Sequence, residues 1–289
     1  MIRLRSFIML IILALAFCPF SLDASFNPAG PLSVTFSPQT KLDGYLSNLV
    51  SIIDGSQNTL EIALYGLDDF DVYRALQRAS ARGVRIRMLY ENAAVEQQET
   101  GGTLSHALEA NGIDVRYVNK TIHHKYLIAD HSSLATSSGN WNDSANSCYD
   151  ENTLWLNDPE LVLRYRAEFE RLWGNSREFG QTFPFATGNP TPEELLAQIN
   201  DQPGRGAYFT SANYRTYVSS TYGPTFAKIS DSQVVAAEIV ELINHSTQSI
   251  RMAANHMRSR PIAEALIAKK RQDPQIDIQV YLDGQEYIS

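Results

Sequence analysis

Along this chain of 289 residues, apolar side chains recur at two spacings. Short runs that alternate with polar residues, or are apolar throughout, predict strands at Leu32–Phe36, Thr59–Leu64, Val84–Tyr90, Val115–Val118 and Tyr126–Ala129. Helical spacing appears between them. Leu42–Ile53 carries Leu46, Leu49, Val50 and Ile53 on one face, and Val72–Arg82 is stopped by Gly83. Leu104–Ala110 is closed by Asn111-Gly112, and Leu161–Trp173 sets Leu163, Tyr165, Phe169 and Leu172 along one stripe. Strands alternating with helices predict an α/β lobe, a mixed β-sheet flanked by helices.

Residues 174–206 are rich in Gly, Pro, Asn and Gln, with a short helix expected near Glu193–Ile199, and they read as a connection. Beyond them the pattern returns. Leu60–Tyr65 aligns with Ile250–Asn255 at an offset of 190, and the same offset pairs Ala75-Leu76 with Ala265-Leu266. With two residues inserted, Val84–Met88 matches Ile276–Val280, and Tyr208-Phe209-Thr210 echoes Thr35-Phe36-Ser37. A repeat of this size predicts duplicated lobes rather than a solenoid. Tyr214–Lys228, rich in Tyr, Ser, Thr and Gly, has no counterpart in the first lobe; it is either a substrate-facing loop or packing material.

The densest chemistry lies in Thr121-Ile122-His123-His124-Lys125-Tyr126-Leu127-Ile128-Ala129-Asp130, followed by Ser137-Ser138-Gly139-Asn140-Trp141. Two apart on a strand, His123 and Lys125 share a face while His124 points to the other. An imidazole beside an ammonium group suits an anionic phosphate. The turn behind them offers Ser138 and Asn140 as hydrogen-bond donors to phosphate oxygens. This His-x-Lys-x4-Asp string with its trailing Ser-x-Asn resembles the signature of the phospholipase D superfamily, whose members cleave or transfer phosphodiesters without metal. Ser137 stands where that turn usually has glycine.

The resemblance implies roles for individual residues. His123 attacks phosphorus and forms a phosphohistidine. Lys125, Ser138 and Asn140 hold the equatorial oxygens. Asp130 joins the catalytic set, with fixing local structure as its expected part. Glu151, in Asp150-Glu151-Asn152-Thr153-Leu154-Trp155, is the candidate carboxylate for the other ring nitrogen of His123; the alternative is a strand-end charge facing water. A second histidine must protonate the leaving oxygen, supplied by a second lobe or a homodimer mate. The repeat would place it near position 315, and no other His-x-Lys occurs within the sequence. The expected organisation is a signal peptide over 1–24, a first lobe over 25–173, a linker over 174–206 and a second lobe from 207 to 289, incomplete before its motif.

The expected compartment follows from the start of the chain. Met1-Ile2-Arg3-Leu4-Arg5 is a basic tip, and Phe7–Phe17 is an apolar run too short to cross a bilayer. Both fit a secretory signal cleaved after Ala24, and a periplasmic or secreted protein. Cys18 leaves with that segment, so Cys148 has no intrachain partner, and no Cys/His spacing fits zinc. No cofactor is expected. Removing Arg3, Arg5 and Asp23 leaves a net charge of −9, which disfavours generic affinity for nucleic acid. The leading expectation is an exported phosphodiesterase that hydrolyses or transfers phospholipid head groups. The alternatives are a metal-independent nuclease of the same superfamily and an inactive single-motif relic.

Overall fold

The computed structural model describes residues 32–91, 103–183, 188–200 and 206–283. The expected signal peptide, 1–24, lies outside the described residues. In chain order the first lobe runs β1 (Leu32–Phe36), α1 (Tyr45–Gly55), β2 (Thr59–Leu64), α2 (Phe70–Ala81), β3 (Arg85–Tyr90), α3 (Leu104–Glu109) and β4 (Asp114–Val118). It continues through β5 (Lys125–Ala129), β6 (Ser133–Ser137), α4 (Asp143–Ser147), β7 (Asn152–Leu156), α5 (Pro159–Trp173) and β8 (Ser176–Glu178). Its eight strands form one mixed sheet in the order β1-β7-β6-β5-β2-β3-β4-β8. β2, β3 and β4 run parallel, and the remaining neighbours pair antiparallel.

Burial on both faces makes the central strands largely apolar, apart from the ion-paired Glu61 and Arg87. One face of β2 and β3 (Leu60, Ile62, Leu64, Ile86, Met88) packs with Leu46, Leu49 and Ile53 of α1 and Val72, Leu76 and Ala79 of α2. The other face (Ala63, Leu89, Tyr126, Ile128, Leu134) packs under Val162, Phe169 and Leu172 of α5. Helix starts are set by capping. Asp69 accepts from the Val72 amide, and Asp158 from the amides of Glu160 and Leu161, with Pro159 in the first turn. β1 is the open end of the sheet, and Leu32, Val34 and Phe36 face outward there.

Three parts of the chain differ from expectation. β8 adds a strand beyond Trp173, so the sheet reaches into the stretch read as a connection; α6 (Pro192–Leu196) follows in it. Tyr208 and Phe209 form no strand but lead into a single 3₁₀ turn, Thr210–Asn213. The residues read as loop or filler form the hairpin β9 (Tyr214–Ser219) and β10 (Gly223–Lys228), which packs on the first lobe through Phe226 of β10. Serine, threonine and glycine conceal a strand period that only cross-strand pairing makes visible.

The repeat is structural. α7 (Val234–His245), β11 (Ser249–Ala254), α8 (Arg260–Gln272) and β12 (Asp277–Leu282) reproduce α1-β2-α2-β3. Leu60 pairs with Ile86 in the first copy, and Ile250 with Ile278 in the second, both in parallel ladders.

Candidate active site

Antiparallel alternation of β5, β6 and β7 brings the start of β5, the end of β6 and the start of β7 to one edge of the sheet. β2 is antiparallel to β5, with Leu64 opposite Lys125, so its C-terminal end joins them. His123, Lys125, Ser138, Asn140 and Glu151 therefore gather at that edge although they span 29 positions of sequence.

His123 is exposed, whereas Lys125 is buried. The Lys125 ammonium lies 3.0 Å from both ring nitrogens of His123 and donates to its carbonyl at 3.0 Å. Burial lowers the lysine pKa to about 8, against a raising influence from Glu151. Burial, then Lys125 and His124, hold His123 below the usual histidine value, which favours the neutral ring at neutral pH. As the strand period requires, His124 points to the other face. Its Nε2 is 3.5 Å from Glu168 of α5.

Ser138 and Asn140 sit in the turn after β6. The Ser138 amide donates to the Asn152 carbonyl at 3.0 Å, and its hydroxyl donates to Glu151 Oε2 at 2.5 Å. Gly139 is enclosed between them: a Cβ there would meet the Tyr45 hydroxyl at 2.9 Å and Glu151 Cγ at 3.2 Å. Tyr45 donates its hydroxyl to the Asn140 carbonyl, and Asn140 Oδ1 is buried without a hydrogen-bond partner.

Two expectations need correction. Glu151 has no hydrogen bond to His123 among the described residues; its carboxylate takes the Ser138 hydroxyl, because antiparallel pairing of β6 and β7 brings the end of one beside the start of the other. Asp130 does not belong with the catalytic group. It lies at the far end of β5, about 20 Å away at strand rise. Its carboxylate accepts the amides of Gln57, Asn58 and Thr59 at 2.9, 2.7 and 2.9 Å. Burial opposes ionisation, but those three donors outweigh it and hold the carboxyl below the usual range.

Tyr65 and Glu91 went unnoticed in the sequence. The Tyr65 ring meets His123 edge-on at 4.7 Å and lies 5.2 Å from the Lys125 ammonium, and its amide donates to the His124 carbonyl at 2.9 Å. Glu91 accepts the Ile122 amide at 2.6 Å, one residue before His123. Their signal is the apolar run of β2 and of β3, each ending in one of these residues; only the pairing of β2 with β5 gives it meaning. Among the described residues no group of His, Cys, Asp and Glu is arranged to hold a metal ion.

A histidine and a lysine on one sheet edge, backed by a serine- and asparagine-bearing turn, form one polar cluster. Residues 49–173 match the family model described as "Cardiolipin synthase, PLD-like domain". The mitochondrial cardiolipin hydrolase of Mus musculus is 32% identical over 155 residues, covering 53% of this chain and 68% of that protein. A phospholipase D of Rickettsia conorii is 29% identical over 136 residues, covering 46% and 65%. The structure of phosphatidylserine synthase from Haemophilus influenzae superposes with a TM-score of 0.54 at 10% identity, over 86% of this chain and 61% of that one. The chain belongs to the phospholipase D superfamily of phosphodiesterases. The last likeness extends the shared fold past the first lobe.

Proposed function

We propose that this protein is an exported phospholipid phosphodiesterase that works through a phosphohistidine on His123. The contact that carries the reading is Lys125 Nζ at 3.0 Å from the His123 ring, a fixed cation beside a neutral nucleophile. In the first step the imidazole nitrogen attacks phosphorus, the N–P bond forms, and the bond to the leaving oxygen breaks. Lys125 and the Asn140 side-chain amide neutralise the equatorial oxygens as charge accumulates, and the Ser138 hydroxyl joins them by turning its proton from Glu151 to the phosphate. Glu151 acts through Ser138, fixing the hydroxyl that faces substrate. Water, or an alcohol in head-group transfer, then attacks the phosphohistidine and frees the ring. The leaving oxygen takes its proton from a second histidine, contributed by a second motif or by a homodimer mate.

The acidic net charge of −8 and the names of the relatives support lipid over nucleic acid. The basic tip and the apolar run Phe7–Phe17 support export. The test is an assay of the protein in EDTA against a phospholipid and against single- and double-stranded DNA, with His123→Asn as control. Lipid cleavage in EDTA, reduced at least about 10⁴-fold by His123→Asn, is expected. DNA cleavage instead would give the nuclease reading, and turnover that survives His123→Asn would end the phosphohistidine mechanism.

A further inference from the structure

The hairpin β9–β10 has a gripped inner strand and a bare outer one. On the inner strand β10, Phe226 enters the core beneath α5. Arg171 donates to the Tyr214 carbonyl at 2.6 Å, and Arg177 to the Pro224 carbonyl at 3.1 Å. The Asn119 side-chain amide donates to the Thr225 hydroxyl. The Lys120 ammonium lies 5.6 and 5.7 Å from the ring centres of Tyr214 and Phe226. Asn119 and Lys120 begin the loop that delivers His123, so β10, with Tyr214, clamps the segment proposed to carry the nucleophile.

The outer strand is different. Arg215, Thr216, Tyr217 and Val218 of β9 are exposed in succession, on both faces of the strand, opposite Ala227, Phe226, Thr225 and Pro224 of β10, so β9 is the bare edge of the ribbon. Tyr217, Val218 and Tyr222 are 49%, 78% and 67% exposed. An isolated two-stranded ribbon with apolar groups in water gains little from folding alone. Its charge is also unlike the rest of the chain. From Gly206 to Lys228 there is no carboxylate, and Arg215 and Lys228, both exposed, are the only charges. Tyrosines flanked by neutral hydroxyl residues suit the boundary between lipid head groups and acyl chains, and cations suit anionic lipid phosphates.

We propose that β9–β10 docks the enzyme on an anionic phospholipid bilayer. Tyr217, Val218 and Tyr222 of the outer strand and turn enter the head-group region, Arg215 pairs with lipid phosphates, and the inner strand β10 holds the His123 loop behind that surface. This rests on the phospholipid reading above and adds how the substrate is reached.

The test is co-flotation of the full chain with vesicles of phosphatidylglycerol and phosphatidylcholine, and with phosphatidylcholine alone. The wild type should float with the anionic vesicles. The variant Tyr217→Ser/Val218→Ser/Tyr222→Ser should partition at least about tenfold more weakly, and Arg215→Glu should lose about fivefold or more on anionic vesicles only. Cleavage of a short-chain phospholipid dissolved as monomers should be the same in wild type and triple variant, while cleavage on vesicles falls. Floating by the triple variant equal to wild type, or no floating by wild type, overturns the proposal. A change in sedimenting mass without a change in floating also overturns it, by making the outer strand a contact between copies. Should wild type alone float while neither protein cleaves the short-chain lipid, docking stands and the substrate reading fails.

Discussion

The two ends of the motif strand β5 are built for opposite purposes. At the His123 end the polar groups are few and open. His123 is exposed, its neighbour Lys125 lies on the ring of Tyr65, and Lys125 has no carboxylate within ion-pairing distance among the described residues. At the Asp130 end every charge is matched. Asp130 takes three backbone amides, and Asp130 and His131 both adopt left-handed backbone, as primed hairpin turns require. His131 reaches Glu61 at 3.2 Å. Behind it, Arg87 bridges Glu61 at 2.6 Å and Glu170 at 2.5 Å, while facing the rings of Phe169 and Trp173. The signature thus joins an open end, kept short of partners, to an anchoring end held by ion pairs and backbone amides. Appearance in one short motif does not mean action in one place.

Breaking the anchored end should have the largest effect on stability. Burial alone would neutralise Glu61, but His131 and Arg87 outweigh it and hold its pKa down. Arg87→Met leaves Glu61 and Glu170 buried with their main counter-ion gone, at a cost of about 3–5 kcal/mol. The denaturation midpoint should fall accordingly, while the molecules that remain folded keep the pH dependence of the wild type. A drop below about 1 kcal/mol would mean that Arg166 and His131 carry the network.

The open end can be sharpened by pH. Neutral His123 exists above its lowered pKa, and charged Lys125 exists below about 8. The value of kcat/KM should therefore form a plateau through neutral pH and fall about tenfold per unit above its alkaline limb. The limb should lie near 8. Lys125→Arg keeps its charge throughout this range, so whatever activity it retains should lack that limb. An alkaline limb unchanged in Lys125→Arg would assign it to another group.

How far these roles were legible follows from the same contrast. β2, β3 and α2 were readable because burial on two faces, or on one stripe, imposes an apolar period, and Gly83, with φ of 89°, supplies the stop. The motif was readable because strand alternation fixes His123 and Lys125 on one side. Short elements such as β6, α4 and β8 have too few apolar residues to establish a period. Contacts across strands were out of reach: Glu151 on Ser138, Glu91 on Ile122 and Tyr65 on His123 depend on which strands are neighbours. The repeat shows how little local pattern says of environment. Glu61 and Arg87 form a buried pair, but Arg251 and Gln279 stand at the equivalent register positions, and Arg251 bonds exposed Asp277 instead.

The smallest effect tests the division most directly, because it concerns the one signature residue placed at the anchoring end. Asp130→Ala removes the acceptor of three amides and puts into left-handed backbone a residue that tolerates it less well than aspartate. The expected loss is about 1–2 kcal/mol, read as a lower denaturation midpoint. Asp130→Asn keeps both the left-handed tolerance and a side-chain oxygen, so it should lose less. Both variants should retain wild-type kcat under conditions where they are folded. Equal stability with kcat reduced a hundredfold or more would return Asp130 to the catalytic group and show that the two ends of β5 act as one.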